Sequence, residues 1–185
     1  MPTIFVAGSL NIKHLHPLFL ERLRNIVDSN MNVVVGDADG ADKSIQEFLH
    51  DVKADLVTVY CSGSRPRNNV GHWPTNSVST DAEAGTRAYF TAKDLEMAKV
   101  ADYGLMIWDG KSTGTLSNAI ELLKRAKKCV VFINRDKTFI TFSNVSELRR
   151  LVGVMSEAAR FKAESKIGLS SKIADIAHEQ FDLPL

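Results

Sequence analysis

Small and hydroxyl-bearing residues follow an apolar run in the middle of the chain. Tyr103–Trp108 is apolar, Asp109–Thr115 reads Asp-Gly-Lys-Ser-Thr-Gly-Thr, and Leu116–Lys128 has a helical pattern. In such a turn, free backbone N–H groups and the positive helix end face one point, and glycine lets an anion approach closely. The segment predicts a phosphate-binding turn, with an ordinary capped strand-to-helix turn as the alternative. The predicted ligand residues are Gly110, Ser112, Thr113, Gly114 and Thr115.

Two earlier turns, at residues 8–9 and at residues 36–42, have residue types that suit the sugar of a nucleotide. Residues 36–42 read Gly-Asp-Ala-Asp-Gly-Ala-Asp, which places carboxylates in a tight turn. A magnesium ion or ribose hydroxyls would relieve their repulsion, and so would solvent exposure. For the last of these aspartates, capping of the following helix is an equal alternative. The ligand residues predicted in the two turns are Gly8, Ser9, Gly36, Asp37, Asp39 and Asp42.

The segment from residue 62 to residue 79 is long, polar and without periodicity. Long loops in compact domains are usually functional, if they are not disordered. Arg65 and Arg67 could clamp a phosphate in the bidentate manner of guanidinium groups. Trp73 could stack on a base, although packing is the more common role of a tryptophan. We therefore expect this loop to close over the base or over a distal phosphate.

Five apolar runs alternate with helical patterns. Several are rich in valine and isoleucine and none alternates cleanly, which is typical of parallel strands that are covered on both faces. The pattern predicts an α/β, Rossmann-like, doubly wound and mostly parallel five-stranded sheet. A sixth β-prone piece, Thr138–Phe142, reads as an edge strand or an extended connection. The predicted strands are Thr3–Ala7, Asn32–Val35, Asp55–Tyr60, Tyr103–Trp108 and Lys128–Ile133.

The pattern divides the chain at residue 142. Residues 1–142 form the predicted nucleotide-binding domain, and residues 143–185 form a C-terminal helical extension. The extension would pack on the domain or lie at a homodimer interface. Because strand carboxyl ends meet at one edge of such a sheet, we expect all the turns described above to lie together there.

Composition narrows the classes of function. The 185 residues are 44% hydrophobic with a formal net charge of +1, which suits one soluble domain and offers no electrostatic case for general nucleic-acid binding. No run is long and apolar enough for a membrane span, and no signal peptide is recognisable. The two cysteines have no metal-ligand spacing. We therefore expect a cytoplasmic protein without a membrane partner.

Three segments resemble, in the same order, motifs of the SLOG superfamily. They are Phe5–Ser9, Gly36–Asp42 and Ala101–Thr115, and the similarity spans roughly residues 3 to 133. The superfamily includes Lonely Guy (LOG) phosphoribohydrolases, and nucleoside 2-deoxyribosyltransferases look like distant relatives. The resemblance implies a Rossmann-like domain that senses or processes a nucleotide-derived ligand.

The chain departs from the hydrolase pattern at two positions. LOG-type enzymes carry a glutamate three residues after the Gly-Thr pair, where this chain has Asn118, and an arginine that matches Lys93. An amide cannot act as a carboxylate nucleophile. Asp94 beside that lysine, Asp102, or Glu121 one helical turn beyond the amide would have to supply the catalytic carboxylate. Lys93 and Asn118 are included among the predicted ligand-binding residues.

The leading hypothesis is therefore the binding or sensing of a small nucleotide or nucleotide-derived ligand. The first alternative is hydrolysis or transfer at the N-glycosidic bond of a nucleoside monophosphate. The second is a partner-binding module with a vestigial pocket. The sequence assigns no cofactor to any of these functions, and magnesium at the acidic turn is the one alternative.

Overall fold

One β-sheet forms the centre of the protein. A computed structural model describes residues 1–181, and side chains through residue 178. The strands, in chain order, are β1 (Thr3–Gly8), β2 (Asn32–Gly36), β3 (Val57–Ser62), β4 (Thr75–Val78), β5 (Tyr103–Trp108), β6 (Lys128–Ile133) and β7 (Thr138–Phe142). They lie in the order β4-β3-β2-β1-β5-β6-β7, and every neighbouring pair is parallel except β6 with β7.

The prediction of an α/β fold with a mostly parallel sheet is confirmed, but the sheet has seven strands and not five. The segment Thr138–Phe142 is a strand, β7, antiparallel to β6. The strand that the sequence analysis missed is β4, which lies inside the predicted loop of residues 62–79. Its sequence, Thr-Asn-Ser-Val, is polar and mostly exposed because it occupies the sheet edge, so it lacks the apolar signal of the inner strands.

Helices cover both faces of the sheet. The first two pack on one face, where Phe19, Leu23 and Ile45 meet the inner strands. The remaining helices pack on the other face, in a core that includes Met97 and Ile120. None of the helices within residues 1–181 combines the length and apolar composition needed to cross a bilayer. The helices are α1 (Pro17–Asp28), α2 (Ala41–Asp51), α3 (Arg87–Val100), α4 (Thr113–Lys124), α5 (Val145–Gly153), α6 (Glu157–Ile167) and α7 (Leu169–Phe181).

The sequence has a helical pattern from Thr80 to Val100, but the helix α3 begins only at Arg87. Gly85 has a φ of +85°, which ends any helix ahead of it, and the side chain of Thr86 then caps α3 by accepting the N–H of Tyr89 at 3.2 Å. This late start places the first turn of α3, with Arg87, next to the carboxyl edge of the sheet.

The C-terminal helices share the core of the sheet. Leu148, Met155 and Ala163 belong to the same buried cluster as residues of β5 and β6. The helix α6 packs on α4 through the small side chains Ala159 and Ala163, which let the two helices approach closely. The division of the chain at residue 142 stays a prediction, and residues 182–185 of the predicted extension lie outside the described residues.

The chain reverses its direction of progress across the sheet between β1 and β5. From β1 it proceeds through β2 and β3 to the edge strand β4, and α3 then returns it to β5 on the other side of β1. Adjacent connections leave in opposite directions at such a point and open a crevice at the carboxyl ends of the strands, which is where doubly wound proteins bind ligands.

Candidate functional site

A cleft of about 590 Å³ lies at this point of the sheet. Its walls come from the turns after β1, β2 and β5, from the loop after β3, from α3 and from α6. Six cationic side chains line the cleft against three carboxylates, so its charge differs from the near-neutral balance of the whole chain. The lining cations are Arg67, Arg87, Lys93, Lys111, Lys162 and Lys166.

The turn between β5 and α4 presents backbone donors to the cleft. Asp109 Oδ1 accepts the N–H groups of Lys111 at 2.8 Å and Ser112 at 2.7 Å, while Gly110 takes a φ of +76° that suits glycine. The first intrahelical bond runs from Leu116 N–H to the Ser112 carbonyl at 3.3 Å. The N–H groups of residues 113–115 precede that bond and have no intrahelical acceptor. They form the positive end of the helix dipole.

Hydroxyl groups tie this turn to β1. Ser9 Oγ lies 3.2 Å from Thr115 Oγ1 and accepts the N–H of Asp109 at 3.1 Å. Thr115 Oγ1 donates to Ser112 Oγ at 3.3 Å. Ser112 is the N-cap of α4, yet its side chain caps no backbone N–H. The helix therefore begins without the usual side-chain cap, and its donors stay open to the cleft.

The acidic turn after β2 is held by the long loop after β3. Arg67 makes a bidentate pair with Asp37, Nη2 to Oδ1 at 2.8 Å and Nε to Oδ2 at 3.1 Å. Asn68 Nδ2 donates to Asp39 Oδ1 at 3.0 Å, and buried Gln46 donates to the Gly36 carbonyl at 2.8 Å. The close carboxylates are thus stabilised by the loop. Among the described residues, no group of three or more His, Cys, Asp or Glu side chains is placed to hold a metal ion.

Four ionisable residues, which we call the floor cluster, lie under the cleft: Asp37, Asp42 and Lys93 are buried, and Asp94 is partly exposed. Lys93 is 3% exposed, and its Nζ lies 2.7 Å from Asp94 Oδ1, 3.9 Å from Asp42 Oδ2 and 4.0 Å from Asp37 Oδ1. Gly36 is required beside it, because any side chain there would collide with the Asp42 carboxylate and the Lys93 ammonium.

The floor cluster shifts the pKa values of its members in different directions. Burial raises the pKa of Asp42 to about 6, against the opposing charge of Lys93. Burial also acts to raise the pKa of Asp37, but the hydrogen bonds from Arg67 and the charge of Lys93 outweigh it and lower that pKa. For Lys93, burial acts to lower the pKa, and the charges of Asp94 and Asp42 outweigh it and raise it.

Four other cations, which we call the rim cations, stand at the mouth of the cleft: Arg87, Lys111, Lys162 and Lys166. Within residues 1–178 none of them forms an ion pair. Arg87 Nη1 only approaches Thr113 Oγ1 at 3.4 Å. Beside them Phe90 is 37% exposed and lines the cleft, with the Arg67 guanidinium 4.7 Å above its ring.

The structure gathers most of the predicted site residues, although no observation tests their roles. Ser9, Gly36, Asp37 and Gly110 support the cleft from behind, and Asp39 bonds Asn68 of the loop. The predicted residues that line the cleft are Gly8, Asp42, Arg67, Lys93, Asp94, Ser112, Thr113, Gly114, Thr115 and Asn118.

Three further predicted residues also lie outside the lining of the cleft. Arg65 is exposed on the loop. Trp73 packs on the opposite core, and its indole N–H donates to the Ala54 carbonyl at 2.8 Å, so it is not placed to stack on a base in the cleft. Glu121 faces Arg125 at 2.6 Å and Lys172 at 3.9 Å. Glu121 therefore lies outside the lining of the cleft, with its side chain toward α7.

Among the lining residues that sequence reasoning missed are one aromatic ring and four cations: Phe90, Arg87, Lys111, Lys162 and Lys166. A signal existed for the last two, because they are four residues apart and share a helical face with Ala159 and Ala163. The net charge of the whole chain concealed them, since acidic residues elsewhere in the chain balance the count.

Together the fold and the site define a Rossmann-like α/β protein with a cationic cleft at the switch point of its sheet. The fold is similar to a solved structure of DNA processing protein A from Helicobacter pylori, described for a unique mode of single-stranded DNA binding. The TM-score is 0.51 at 19% sequence identity, and the match covers 70% of this chain and 65% of that chain. This chain thus spans less than two thirds of that neighbour. No protein-family model and no curated protein matches the chain significantly.

This finding corrects four expectations from the sequence. The structural match is to a single-stranded DNA-binding protein, whereas the SLOG resemblance implied a LOG-like small-nucleotide sensor or N-glycosidic enzyme. The assignment of a nucleotide-derived small molecule as the ligand is wrong on the same ground, as is the vestigial-pocket alternative. The exclusion of nucleic acid as a partner, which rested on the low net charge, is also wrong on this ground, because the structural neighbour binds single-stranded DNA.

Proposed function

We propose that the cleft binds single-stranded DNA. The observation that carries the proposal is the separation of charge within the cleft: the floor cluster is internally paired, whereas the rim cations have no carboxylate partner among the described residues. Unpaired cations around a groove provide the electrostatic term that dominates the affinity of proteins for nucleic acid. The similarity to a single-stranded DNA-binding protein supports this ligand class.

A backbone phosphate would bind at the beginning of α4. Residues 113–115, whose N–H groups have no intrahelical acceptor, line the cleft together with Arg87 and Lys111, and Arg87 Nη1 lies 3.4 Å from Thr113 Oγ1. Gly114 leaves this approach open, because a Cβ there would find only Ser112 Oγ, 3.9 Å away. Helix N-termini flanked by cations bind phosphate through dipole, hydrogen bonds and charge together.

A base would stack on Phe90. The ring is exposed at the cleft and fixed from behind by an edge contact with Tyr89, with centroids 5.3 Å apart. The guanidinium of Arg67, which is held by the pair with Asp37, lies 4.7 Å above the same ring. Stacking on aromatic and guanidinium planes is tolerant of base identity, and each stacked base contributes about 1–3 kcal/mol.

The arrangement favours an unpaired strand over a duplex. A duplex keeps its bases stacked inside and presents phosphates on a wide outer surface, so a base cannot reach Phe90 while its phosphate lies at α4. A single strand can place both groups at once, because its bases are free to turn outward. The proposal therefore includes a preference for single-stranded over double-stranded DNA of the same sequence.

The test is fluorescence anisotropy with a labelled oligothymidine of about 20 nucleotides, which exceeds common single-strand site sizes. We expect saturable binding, weaker binding to a matched duplex, and a logarithm of affinity that falls by about 0.7 per phosphate contact for each logarithmic unit of salt. The double variant Arg87→Ala/Lys111→Ala should bind at least about tenfold more weakly.

The matched control is Lys128→Ala, which removes an exposed cation from the beginning of β6 at the opposite edge of the sheet. It should bind as the unchanged protein does. If the double variant and the control have the same affinity, the cleft is not the binding site. If the unchanged protein does not bind oligothymidine, the proposed function is wrong.

A further inference from the structure

The helix α6 brings two cations to the cleft from outside the core strands and their turns. Lys162 and Lys166 are separated by one helical turn and both line the cleft. Side chains four residues apart on a helix have Cβ atoms about 5–6 Å apart, so both ammonium groups face the same side. The buried residues of the helix, Ala159 and Ala163, hold that side close to α4.

No carboxylate of α6 is engaged with this lysine pair. Glu164 accepts the N–H of Ser170 at 2.9 Å and its hydroxyl at 2.7 Å, which commits it to the beginning of α7. The dipole at the helix end accounts for a cation at position 166 but not at position 162, which lies in the middle of α6. The helix dipole therefore does not explain why both lysines of the pair are present.

We propose that Lys162 and Lys166 form a second phosphate subsite, so that the cleft takes an oligonucleotide and not a single nucleotide. This inference rests on the proposed function. One phosphate would lie at the beginning of α4, and the next phosphates along the same strand would run along the cleft to the lysine pair of α6. The C-terminal helices thereby complete the binding surface, and affinity increases when the strand is long enough to reach α6.

The experiment measures affinity against strand length. Oligothymidines from about 2 to about 16 nucleotides are titrated against the unchanged chain and against Lys162→Ala/Lys166→Ala. For the unchanged chain we expect affinity to increase steeply once the strand reaches the second subsite. The double variant should bind the dinucleotide equally well but lose about tenfold for the longer strands, with a salt dependence reduced by about 0.7 per lost contact.

The control variant is Arg149→Ala/Arg160→Ala, which removes the same charge from exposed positions that do not line the cleft. It should keep the length dependence, and thermal melting of all three proteins should coincide. A lysine variant that behaves like this control overturns the second subsite while leaving the proposed function intact. Failure of the unchanged chain to bind any strand overturns the proposed function itself, so the two failures are distinguishable.

Discussion

The floor and the rim of the cleft use the same residue types for opposite purposes. In the floor cluster, Lys93 is 3% exposed and lies within 4.0 Å of three carboxylates. On the rim, Lys111 is exposed and has no ion-pair partner in the described part of the chain. A buried cation without its partners is very costly, whereas an exposed cation costs little to hold ready for a ligand.

This contrast separates structural charge from functional charge. The floor cluster connects three elements. Asp37 lies in the turn after β2, Asp42 lies on α2, and Lys93 and Asp94 lie on α3. Asp37 also fixes Arg67 of the loop. The floor therefore determines where the walls of the cleft stand, and in the proposed function the rim cations attract the DNA strand. Matched substitutions in the floor cluster and among the rim cations can test this distinction.

The largest effect is expected from replacing the floor lysine. Lys93→Met leaves three carboxylates near one another without their shared cation, and the free energy of unfolding should fall by about 4 kcal/mol. The matched rim variant, Lys111→Met, should change it by less than about 0.5 kcal/mol and weaken oligothymidine binding. Urea denaturation measures the first quantity and anisotropy the second. Equal losses of stability would contradict the division between floor and rim.

A smaller effect distinguishes two carboxylates of the floor. Asp42 has a pKa raised to about 6, so its folded form holds a proton that the unfolded form has lost between about pH 4 and pH 6. Its contribution to stability therefore falls as the pH rises through that window. The free energy of unfolding of Asp42→Asn, relative to that of the unchanged protein, should rise by roughly 2–3 kcal/mol between about pH 4 and pH 7.

The comparison residue for that titration is Asp37. Its pKa is lowered, so its contribution to stability is present at neutral pH and is lost as the pH falls through the acidic range. Asp37→Asn should thus be less stable than the unchanged protein at pH 7, with a deficit that shrinks on acidification. Thermal melts over this pH range measure both variants. If the two variants had parallel pH profiles, the pKa values of Asp37 and Asp42 would not be shifted in opposite directions, and this part of the description would be wrong.

An intermediate effect on binding is expected at the beginning of α4. Gly114→Val places a branched side chain in the approach to the free N–H groups of residues 113–115, and affinity for oligothymidine should fall about tenfold. The space beside Gly114 is open, so the melting temperature should hardly change. Gly153→Val, at the equally open end of α5, serves as the control. Unchanged affinity of Gly114→Val would remove α4 from the binding site.

The smallest effect is expected away from the cleft. Glu121→Gln weakens the pair with Arg125 on the surface of α4, which should cost about 0.5 kcal/mol of stability. Affinity for single-stranded DNA should be unchanged, because the side chain faces α7 and does not line the cleft. A marked loss of binding in this variant would mean that the working surface extends beyond the cleft.

The sequence predicted the inner strands well because burial on both faces leaves continuous apolar runs such as Tyr103–Trp108. The sequence also predicted that Gly8, Asp42 and Gly114 lie at the same edge of the sheet, because parallel strands have their carboxyl ends at one edge. It could not reveal β4, whose pairing is decided by the edge of β3 and not by its own polar residues. Nor could it reveal that Lys93 is buried, because only the folded positions of three carboxylates make that burial tolerable.

Charge gave the most misleading signal. A net charge of +1 describes the average of the chain, whereas binding depends on which charges are paired. Folding pairs Lys93 and Arg67 with aspartates and brings Arg87, Lys162 and Lys166 from distant segments to one cleft. Such pairing is a property of tertiary contacts, which periodicity and composition do not report.

The most direct test of the account is to map, by nuclear magnetic resonance, the backbone amides that respond to an oligothymidine. Binding at the cleft predicts the largest shifts in residues 111–118, at the beginning of α3 around Arg87 and Phe90, and in α6 around Lys162 and Lys166. Shifts confined to the opposite edge of the sheet, near Asn30 and Lys53, or no shifts at a saturating concentration, would contradict single-stranded DNA binding by this cleft.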